Sequence, residues 1–218
     1  MRIAIVGAGR IGGNCARRFA KAGHDVVVTF SRDSDKLDRL AAEIGGESAE
    51  PADAVAGADM VVLSVPWTAI DEALAQVGSL EGKIVIDTTN QFAGGWIDLG
   101  ETAARHNAAR MLGARYTKSF NTLTSAFQAE AAERTGDDKV VQWICGDDAE
   151  AKSIVARLIE AAGYVPVDLG GTPTSAVMEA PRRPGAVYGE EYRAADAQAV
   201  VDAVREGREI PPAPEYDR

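Results

Sequence analysis

The sequence contains few residues of several kinds that mark particular classes of protein. Its 218 residues include only 2 Cys and 2 His, too few for a disulfide framework or a cysteine-based metal site. Basic residues are also in the minority, with 23 Lys and Arg against 33 Asp and Glu, giving a net charge of −10. Such a charge argues against binding to nucleic acid or to an anionic membrane. We expect no nucleic-acid partner, no bound metal, and a reducing, cytoplasmic location.

Long hydrophobic runs are missing as well. No apolar stretch approaches the roughly 20 residues that a helix needs to cross a bilayer, and the first residues do not resemble a signal peptide. We therefore expect no membrane partner. The composition, 46% hydrophobic and 26% charged, is typical of a soluble globular protein. The length allows one large core with a small appendage.

What the chain does contain is an alternation of short apolar runs with helical patterns. Strands are predicted over 2–6, 25–30, 60–65, 83–87, 116–120, 140–145 and 164–168. Helices are predicted over 11–22, 34–44, 69–77, 99–109, 125–134 and 149–162. The apolar runs are nearly continuous, as in parallel strands that are buried on both faces. This order predicts an α/β fold, a doubly wound and mainly parallel Rossmann-type sheet with helices on both faces.

The composition changes after Glu179. We predict a nucleotide-binding domain over 1–179 and a short C-terminal extension over 180–218, which has a turn-rich start and a helix over 194–208. Tyr188 and Tyr192 lie four residues apart, and such amphipathic rings favour docking against a surface. The extension is predicted to be either a substrate lid or a dimer arm, with disorder as the remaining alternative.

A glycine motif follows the first predicted strand. Gly7, Gly9 and Gly12 have the G-x-G-x-x-G spacing and open a helix, the context in which this motif binds a dinucleotide. The first glycine permits a tight turn, the second lets the backbone approach a pyrophosphate, and the third allows close packing of helix on strand. Arg10 and Ile11 lie between them and are included in the predicted site. The alternative is a glycine-rich turn without a ligand.

The end of the second strand predicts which dinucleotide binds. NAD sites place a carboxylate here, whereas this strand ends in Ser31 and Arg32, with Lys36 one helical turn further on. A hydroxyl and two cations would bind a 2′-phosphate, so the pattern favours NADP. The alternatives are that Arg32 and Lys36 are solvated surface charges, and that Asp33 either caps the following helix or contacts a ribose hydroxyl.

The ends of three further strands lie at the edge of the sheet where such folds bind the nicotinamide. One group is Ser64, Val65, Pro66 and Trp67; the others are Thr88 with Asn90, and Asn121. Trp67 is predicted either to form an apolar plate near the cofactor or to fill the core. Thr88 and Asn121 are our candidate catalytic residues, since they can orient a nicotinamide by hydrogen bonds. No Ser-His-Asp arrangement, H-E-x-x-H motif or Tyr-x-x-x-Lys pair is present.

These motifs together resemble the coenzyme F420-dependent NADP oxidoreductase family, which shares its nucleotide domain with membrane metalloreductases. The similar stretches are MRIAIVGAGRIGG, TFSRDSDK, ADMVVLSVPW, KIVIDTTN, KSFNTL and ICGDDAEAKSIVARLIEAAGYVPVDLGG. The resemblance implies a Rossmann domain with a small substrate region and hydride transfer between NADPH and the deazaflavin F420. It assigns Gly7, Gly9 and Gly12 to the dinucleotide loop, Ser31, Arg32 and Lys36 to the 2′-phosphate, and Ser64, Pro66 and Trp67 to the loop after the fourth strand.

The sequence departs from this family around Asn121. The reductases carry a His- and Pro-containing segment against the deazaflavin, whereas this chain has Phe120-Asn121-Thr122. From the resemblance as a whole we still expect an NADP-dependent oxidoreductase with F420 as the electron acceptor, and we also expect a homodimer. Reduction of a flavin or of another small acceptor is one alternative, and a non-catalytic protein that senses NADP(H) is another.

Overall fold

A single eight-stranded sheet lies at the centre of the computed structural model, which describes residues 1–216. The strands are β1 (Arg2–Val6), β2 (Asp25–Thr29), β3 (Glu47–Ser48), β4 (Met60–Leu63), β5 (Ile84–Asp87), β6 (Arg115–Lys118), β7 (Val141–Gly146) and β8 (Val165–Asp168). The helices are α1 (Arg10–Lys21), α2 (Ser34–Ile44), α3 (Pro51–Ala56), α4 (Ile70–Val77), α5 (Ala103–Arg110), α6 (Ser125–Ala131), α7 (Ala149–Ala161) and α8 (Ala194–Arg205).

The strand order is β3-β2-β1-β4-β5-β6-β7-β8. The first six of these strands are parallel, with Ile3 of β1 opposite both Val26 and Met60. Strand β7 is antiparallel to β6, with Thr117 opposite Gly146, and β8 is parallel to β7. The carboxyl ends of the six parallel strands therefore lie at one edge of the sheet, and those of β7 and β8 lie at the other. The predicted doubly wound, mainly parallel α/β fold is confirmed.

Alternate residues of each central strand enter different hydrophobic clusters. In β1, Ile3 and Ile5 pack on one side with Phe19 of α1, while Ala4 and Val6 pack on the other side. The strands are thus covered on both faces, which is why their sequences are apolar almost without interruption.

The C-terminal extension completes a third cluster. Trp143 of β7 contacts the ring of Tyr192 edge-on, with centroids 5.3 Å apart, and Val187 and Val200 are buried in the same cluster. The Val141 N–H also donates to the carbonyl of Tyr192 at 2.8 Å. The described part of the extension is therefore packed against β7 and β8. Its roles as substrate lid or dimer arm, and the division at residue 179, stay predictions, and positions 217 and 218 lie outside the described residues.

Capping residues explain where the helices begin and end. Helix α2 follows Asp33, whose carboxylate accepts the Lys36 N–H at 3.1 Å, and it ends at Gly45 with φ +64°. Helix α5 begins at Ala103 and not at the predicted residue 99, because Thr102 caps it by accepting the Arg105 N–H at 3.2 Å. Helices α6 and α8 end three residues before the predicted boundaries.

Two short elements were not predicted. Strand β3 has two residues and helix α3 has six, and elements of that length show no clear hydrophobic period. Three 3₁₀ segments, Trp67–Ala69, Gly136–Asp138 and Thr172–Met178, lie in connections. Within residues 1–216 no helix is long and apolar enough to cross a membrane. The same range brings together no group of three His, Cys, Asp or Glu side chains that could hold a metal.

Candidate active site

The three glycines of the loop after β1 have different surroundings. Gly7 has φ +102°, and a methyl group there would lie 2.4 Å from the Ser64 carbonyl oxygen. A methyl group on Gly12 would lie 2.0 Å from the carbonyl oxygen of Gly7. Both positions therefore require glycine for the packing of the loop itself.

Gly9 is different because the protein leaves room for a side chain there. A methyl group on Gly9 would meet only the Ser64 carbonyl oxygen, at 3.9 Å. The reason for glycine at this position is thus not found in the packing of the chain. A pyrophosphate that must approach the backbone closely supplies such a reason.

Helix α1 begins directly after Gly9 and offers its N-terminus to this loop. Gly9 provides no side-chain cap, and the first turn contains no acidic residue. Arg10 is exposed, whereas Ile11 packs against the first core cluster. Backbone N–H groups and the positive end of the helix dipole at this position favour the binding of an anion beside Gly9.

A cleft of about 610 Å³ adjoins the loop. The predicted site residues that line it are Gly7, Gly9, Ser31, Arg32, Lys36, Ser64, Val65 and Pro66. Its walls also include residues that the sequence did not single out, among them Thr29, Phe30, Ala49, Glu50, Thr68 and Glu72. Ala49 and Glu50 lie between β3 and α3, two elements that are too short to be predicted from the sequence. Arg10, Ile11, Gly12, Trp67, Thr88, Asn90 and Asn121 do not line this cleft.

Two cationic side chains lie just after the end of β2. Arg32 and Lys36 are exposed, and within residues 1–216 neither side chain forms a salt bridge. The nearby Asp33 caps α2 and lies 3.8 Å from Arg39, so its carboxylate is already engaged. Phe30, with φ +59°, turns the chain just before Ser31. The arrangement suits a dianionic 2′-phosphate better than a ribose hydroxyl.

Trp67 is not among the residues that line the cleft. Its ring lies 5.8 Å from the His106 ring and 5.4 Å from the Arg110 guanidinium, and it packs against the second core cluster. Trp67 is partly buried, and both alternatives for its role stay predictions. Its neighbours Ser64, Val65 and Pro66 do line the cleft.

The three polar residues at the ends of β5 and β6 lie together. Asn90 Nδ2 donates to the Asn121 backbone carbonyl at 3.0 Å, and Asn121 Nδ2 donates back to Asn90 Oδ1 at 3.1 Å. Asn121 Nδ2 also donates to the Met178 carbonyl at 2.7 Å. Thr88 is buried, and its hydroxyl donates to the Leu63 carbonyl at 3.2 Å. The structure thus brings these residues to one edge, and their roles in orienting a nicotinamide stay predictions.

Beneath this edge lies a fully buried ion pair that sequence analysis missed. Lys118 Nζ lies 3.5 Å from Asp87 Oδ2, and both side chains are completely buried. Burial alone would raise the pKa of Asp87, but Lys118 and hydrogen bonds from Asn107, Tyr116 and the Thr89 N–H together hold it below its usual value. Asp87 therefore remains a carboxylate. The available signal was a charged residue at the last position of each of two buried strands.

The ion pair fixes the main chain of Thr89 from both sides. The Thr89 N–H donates to Asp87 Oδ1 at 2.8 Å, and its carbonyl accepts from Lys118 Nζ at 2.6 Å. Thr89 lies between Thr88 and Asn90. The buried ion pair is therefore placed to position Thr88 and Asn90 through the main chain of Thr89.

Glu179, the last residue of the predicted nucleotide-binding domain, is buried. Its carboxylate accepts the N–H groups of Ala103 and Ala104 at 2.9 and 3.0 Å, and the Ser175 hydroxyl at 2.6 Å. A carboxylate at a helix N-terminus is stabilised by the helix dipole. This contact holds the segment that meets Asn121 in place.

With the site described, similarity to known proteins identifies the family. The family model described as "NADP oxidoreductase coenzyme F420-dependent" matches residues 2–91. An F420-dependent NADP reductase of Methanothermobacter thermautotrophicus is 34% identical over 201 residues, covering 82% of this chain and 85% of that relative. The chain belongs to the F420-dependent NADP oxidoreductase family. It is an NADP-dependent oxidoreductase, as the resemblance implied.

Solved structures agree with this family. A hypothetical protein of Sinorhizobium meliloti is 30% identical, with a TM-score of 0.78 and coverage of 88% of this chain and 95% of that one. A putative F420-dependent NADP reductase of Arthrobacter is 28% identical, with a TM-score of 0.68 and coverage of 81% and 87%. An imine reductase of Myxococcus stipitatus in complex with NADP+ shares the fold at 24% identity and a TM-score of 0.61, and this chain spans 55% of its length.

Proposed function

We propose that this member of the family transfers a hydride between NADP(H) and the deazaflavin F420, at the edge where β4, β5 and β6 end. The observation that carries the proposal is the pairing of a ready cofactor cleft, with its free Arg32 and Lys36, to the polar edge formed by Thr88, Asn90 and Asn121. The name of the 34% identical relative supports F420 as the acceptor.

The residues of the cleft fit NADP(H). We assign the pyrophosphate to the N-terminus of α1 beside Gly9, where a side chain would fit in the protein alone. Ser31, Arg32 and Lys36 would hold the 2′-phosphate by charge-assisted hydrogen bonds. The bound cofactor supplies the hydride.

The protein's own part in the reaction is to place two rings and exclude water. Thr88 and Asn121 would orient the nicotinamide, and the buried Asp87–Lys118 pair would hold the main chain of Thr89, which adjoins Thr88. The hydride passes directly between rings held at contact distance, and the one proton that the reduced deazaflavin takes up at a ring nitrogen can come from solvent. A strong acid–base pair on the protein is therefore not required. We expect these residues to act by holding the nicotinamide and the acceptor ring in position.

The test is direct turnover. Protein mixed with NADPH and oxidised F420 should bleach the deazaflavin absorbance band, and NADH should support a much slower reaction. Tight NADPH binding without turnover of F420, a flavin or any other acceptor would contradict the proposal and favour a sensor. A homodimer in the cytoplasm is also expected, and light scattering measures the oligomeric state.

A second candidate acceptor is a flavin or another small molecule. The observation that favours it is Phe120-Asn121-Thr122, which replaces the His- and Pro-containing segment that the resemblance leads us to expect. Here Asn121 is bonded to Asn90 and to the Met178 carbonyl. Turnover of a flavin exceeding that of F420 would select this candidate.

A further inference from the structure

An exposed hairpin directly follows the polar edge formed by Thr88, Asn90 and Asn121, here called the acceptor edge. Residues 91–97, here called the aromatic hairpin, follow Asn90 without a linker. Phe92 and Trp96 pair across it, and the Ala93 N–H donates to the Gly95 carbonyl at 2.9 Å to close its tip. The Ile97 N–H donates to the Gln91 carbonyl at 3.1 Å and fixes its base.

The hairpin carries two of the four large hydrophobic side chains that are exposed within residues 1–216. Phe92 is 60% exposed and Trp96 is 44% exposed. Because they are paired directly across the hairpin, their side chains leave the same face with Cβ atoms roughly 5 Å apart. Burial of such rings is favourable, so their exposure beside a polar edge indicates that a ligand or partner covers them.

The size of this patch suits a small molecule. From the usual area of aromatic side chains, the two rings expose roughly 200 Å² together. A stable protein interface buries about 800 Å² on each partner. A flat ring system matches the patch, whereas a second subunit would need a much larger surface.

Unpartnered polar atoms lie on the hairpin itself and on the segment bonded to the residue that precedes it. Gln91 Oε1, Asn121 Oδ1 and Thr122 Oγ1 are buried and have no hydrogen-bond partner within residues 1–216. Gln91 belongs to the hairpin, and Asn121 is bonded to the adjacent Asn90. Buried polar atoms without partners are rare in folded proteins, so several at one edge indicate groups that a ligand satisfies.

We propose that Phe92 and Trp96 form the platform on which the planar ring of the electron acceptor stacks, with its polar edge toward Gln91 and Asn121. The chemical class is a fused heteroaromatic ring that bears carbonyl and N–H groups, such as a deazaflavin or a flavin. The inference rests on the proposed function, because it places the acceptor beside the nicotinamide edge.

The experiment compares Phe92→Ala, Trp96→Ala and the double variant with wild type. Leu112→Ala is the matched control, since Leu112 is 83% exposed but precedes β6 at the opposite edge of the sheet. Affinities of F420 and of flavin mononucleotide for the NADP+-loaded protein are measured directly by quenching of ring fluorescence. Turnover with NADPH, the affinity for NADPH and the oligomeric state are measured on the same samples.

The platform predicts that each single alanine variant weakens ring binding about tenfold and the double variant more, with the loss in KM rather than kcat. NADPH affinity stays at the wild-type value, and Trp96→Phe retains most of the ring affinity. Loss of ring binding in the variants supports the platform whether or not wild type reduces the ring. Binding without reduction in wild type would contradict only the proposed function.

Three results would overturn the platform. If the alanine variants bind the ring as tightly as wild type does, the platform proposal is wrong. The proposed function still holds in that case if turnover persists. A change of oligomeric state in the double variant would assign the patch to contact between subunits. Failure of wild type to bind either ring would reject both the platform and the proposed function.

Discussion

The cofactor cleft and the acceptor edge are built in opposite ways. The cleft is open, its cations Arg32 and Lys36 are exposed, and Gly9 leaves space beside α1. At the acceptor edge, Thr88 and Asn121 are buried and already hydrogen-bonded, above the buried Asp87–Lys118 pair. One region is ready to receive an anion, whereas the other is rigid before anything binds. Changes in the first should alter binding alone, and changes in the second should alter stability as well.

The largest effect should come from breaking the buried ion pair. Lys118→Met leaves the Asp87 carboxylate buried without its cation, which should lower the free energy of unfolding by about 3–5 kcal/mol. Arg17→Met is the control, because the Arg17–Glu43 pair is about half exposed and such pairs contribute at most about 1 kcal/mol. Urea denaturation measures both. Equal losses in the two variants would mean that the acceptor edge is not held by its buried charges.

The glycine loop should separate binding from packing. Gly9→Ala should fold normally and weaken NADPH and NADH binding alike by at least about tenfold, because the added methyl group meets the ligand and not the protein. Gly12→Ala should instead lower the melting temperature, since its methyl group would lie 2.0 Å from the Gly7 carbonyl oxygen. Calorimetry and fluorescence titration give the two readouts. Unchanged NADPH binding in Gly9→Ala would contradict the placement of the pyrophosphate.

Removing one phosphate partner should have a more selective effect. Arg32→Ala should cost about 1.5–3 kcal/mol of NADPH binding, about ten- to a hundredfold in affinity. NADH binding should hardly change, because NADH lacks the 2′-phosphate. Arg39→Ala serves as the control, since Arg39 lies in α2, seven positions after Arg32, but does not line the cleft. Equal losses of NADPH and NADH affinity would show that Arg32 does not bind the 2′-phosphate.

The smallest effect concerns Asp148, far from both regions. Hydrogen bonds from Arg115 and from the Ala151 N–H lower the pKa of Asp148 from 3.8 to about 2. A lowered pKa contributes stability that is present above the ordinary value and is lost as the pH falls through the folded value. The stability difference between wild type and Asp148→Asn should therefore shrink between pH 3.8 and about 2. Asp137→Asn, at an exposed position, should keep the wild-type dependence, and denaturant titrations across this range test both.

The two regions also differ in how well the sequence predicted them. The cleft is encoded locally: the glycine spacing, the strand before it and Asp33 with Gly45 at the ends of α2 all lie within short segments, and α2 begins and ends where predicted. The same local logic predicted continuous apolar strands and hence the sheet.

The acceptor edge depends on contacts between distant residues. Asn90 and Asn121 are 31 positions apart, Glu179 anchors the start of α5, and Lys118 meets Asp87 only because β5 and β6 are neighbours. No local period reveals such pairings, so Asn121 was found through its strand end while the ion pair beneath it was missed. The reversal at β7 is likewise a matter of topology, since antiparallel and parallel buried strands have similar sequences.

A crystal structure of the complex with NADP+ and F420 would test the central claim most directly, that one region reads the cofactor and the other receives the acceptor. We predict the pyrophosphate at the N-terminus of α1 beside Gly9, and the 2′-phosphate about 3 Å from the Arg32 guanidinium. The nicotinamide should lie beside Thr88 and Asn121. A cofactor whose 2′-phosphate contacts neither Arg32 nor Lys36, or whose nicotinamide lies away from the ends of β5 and β6, would contradict the account.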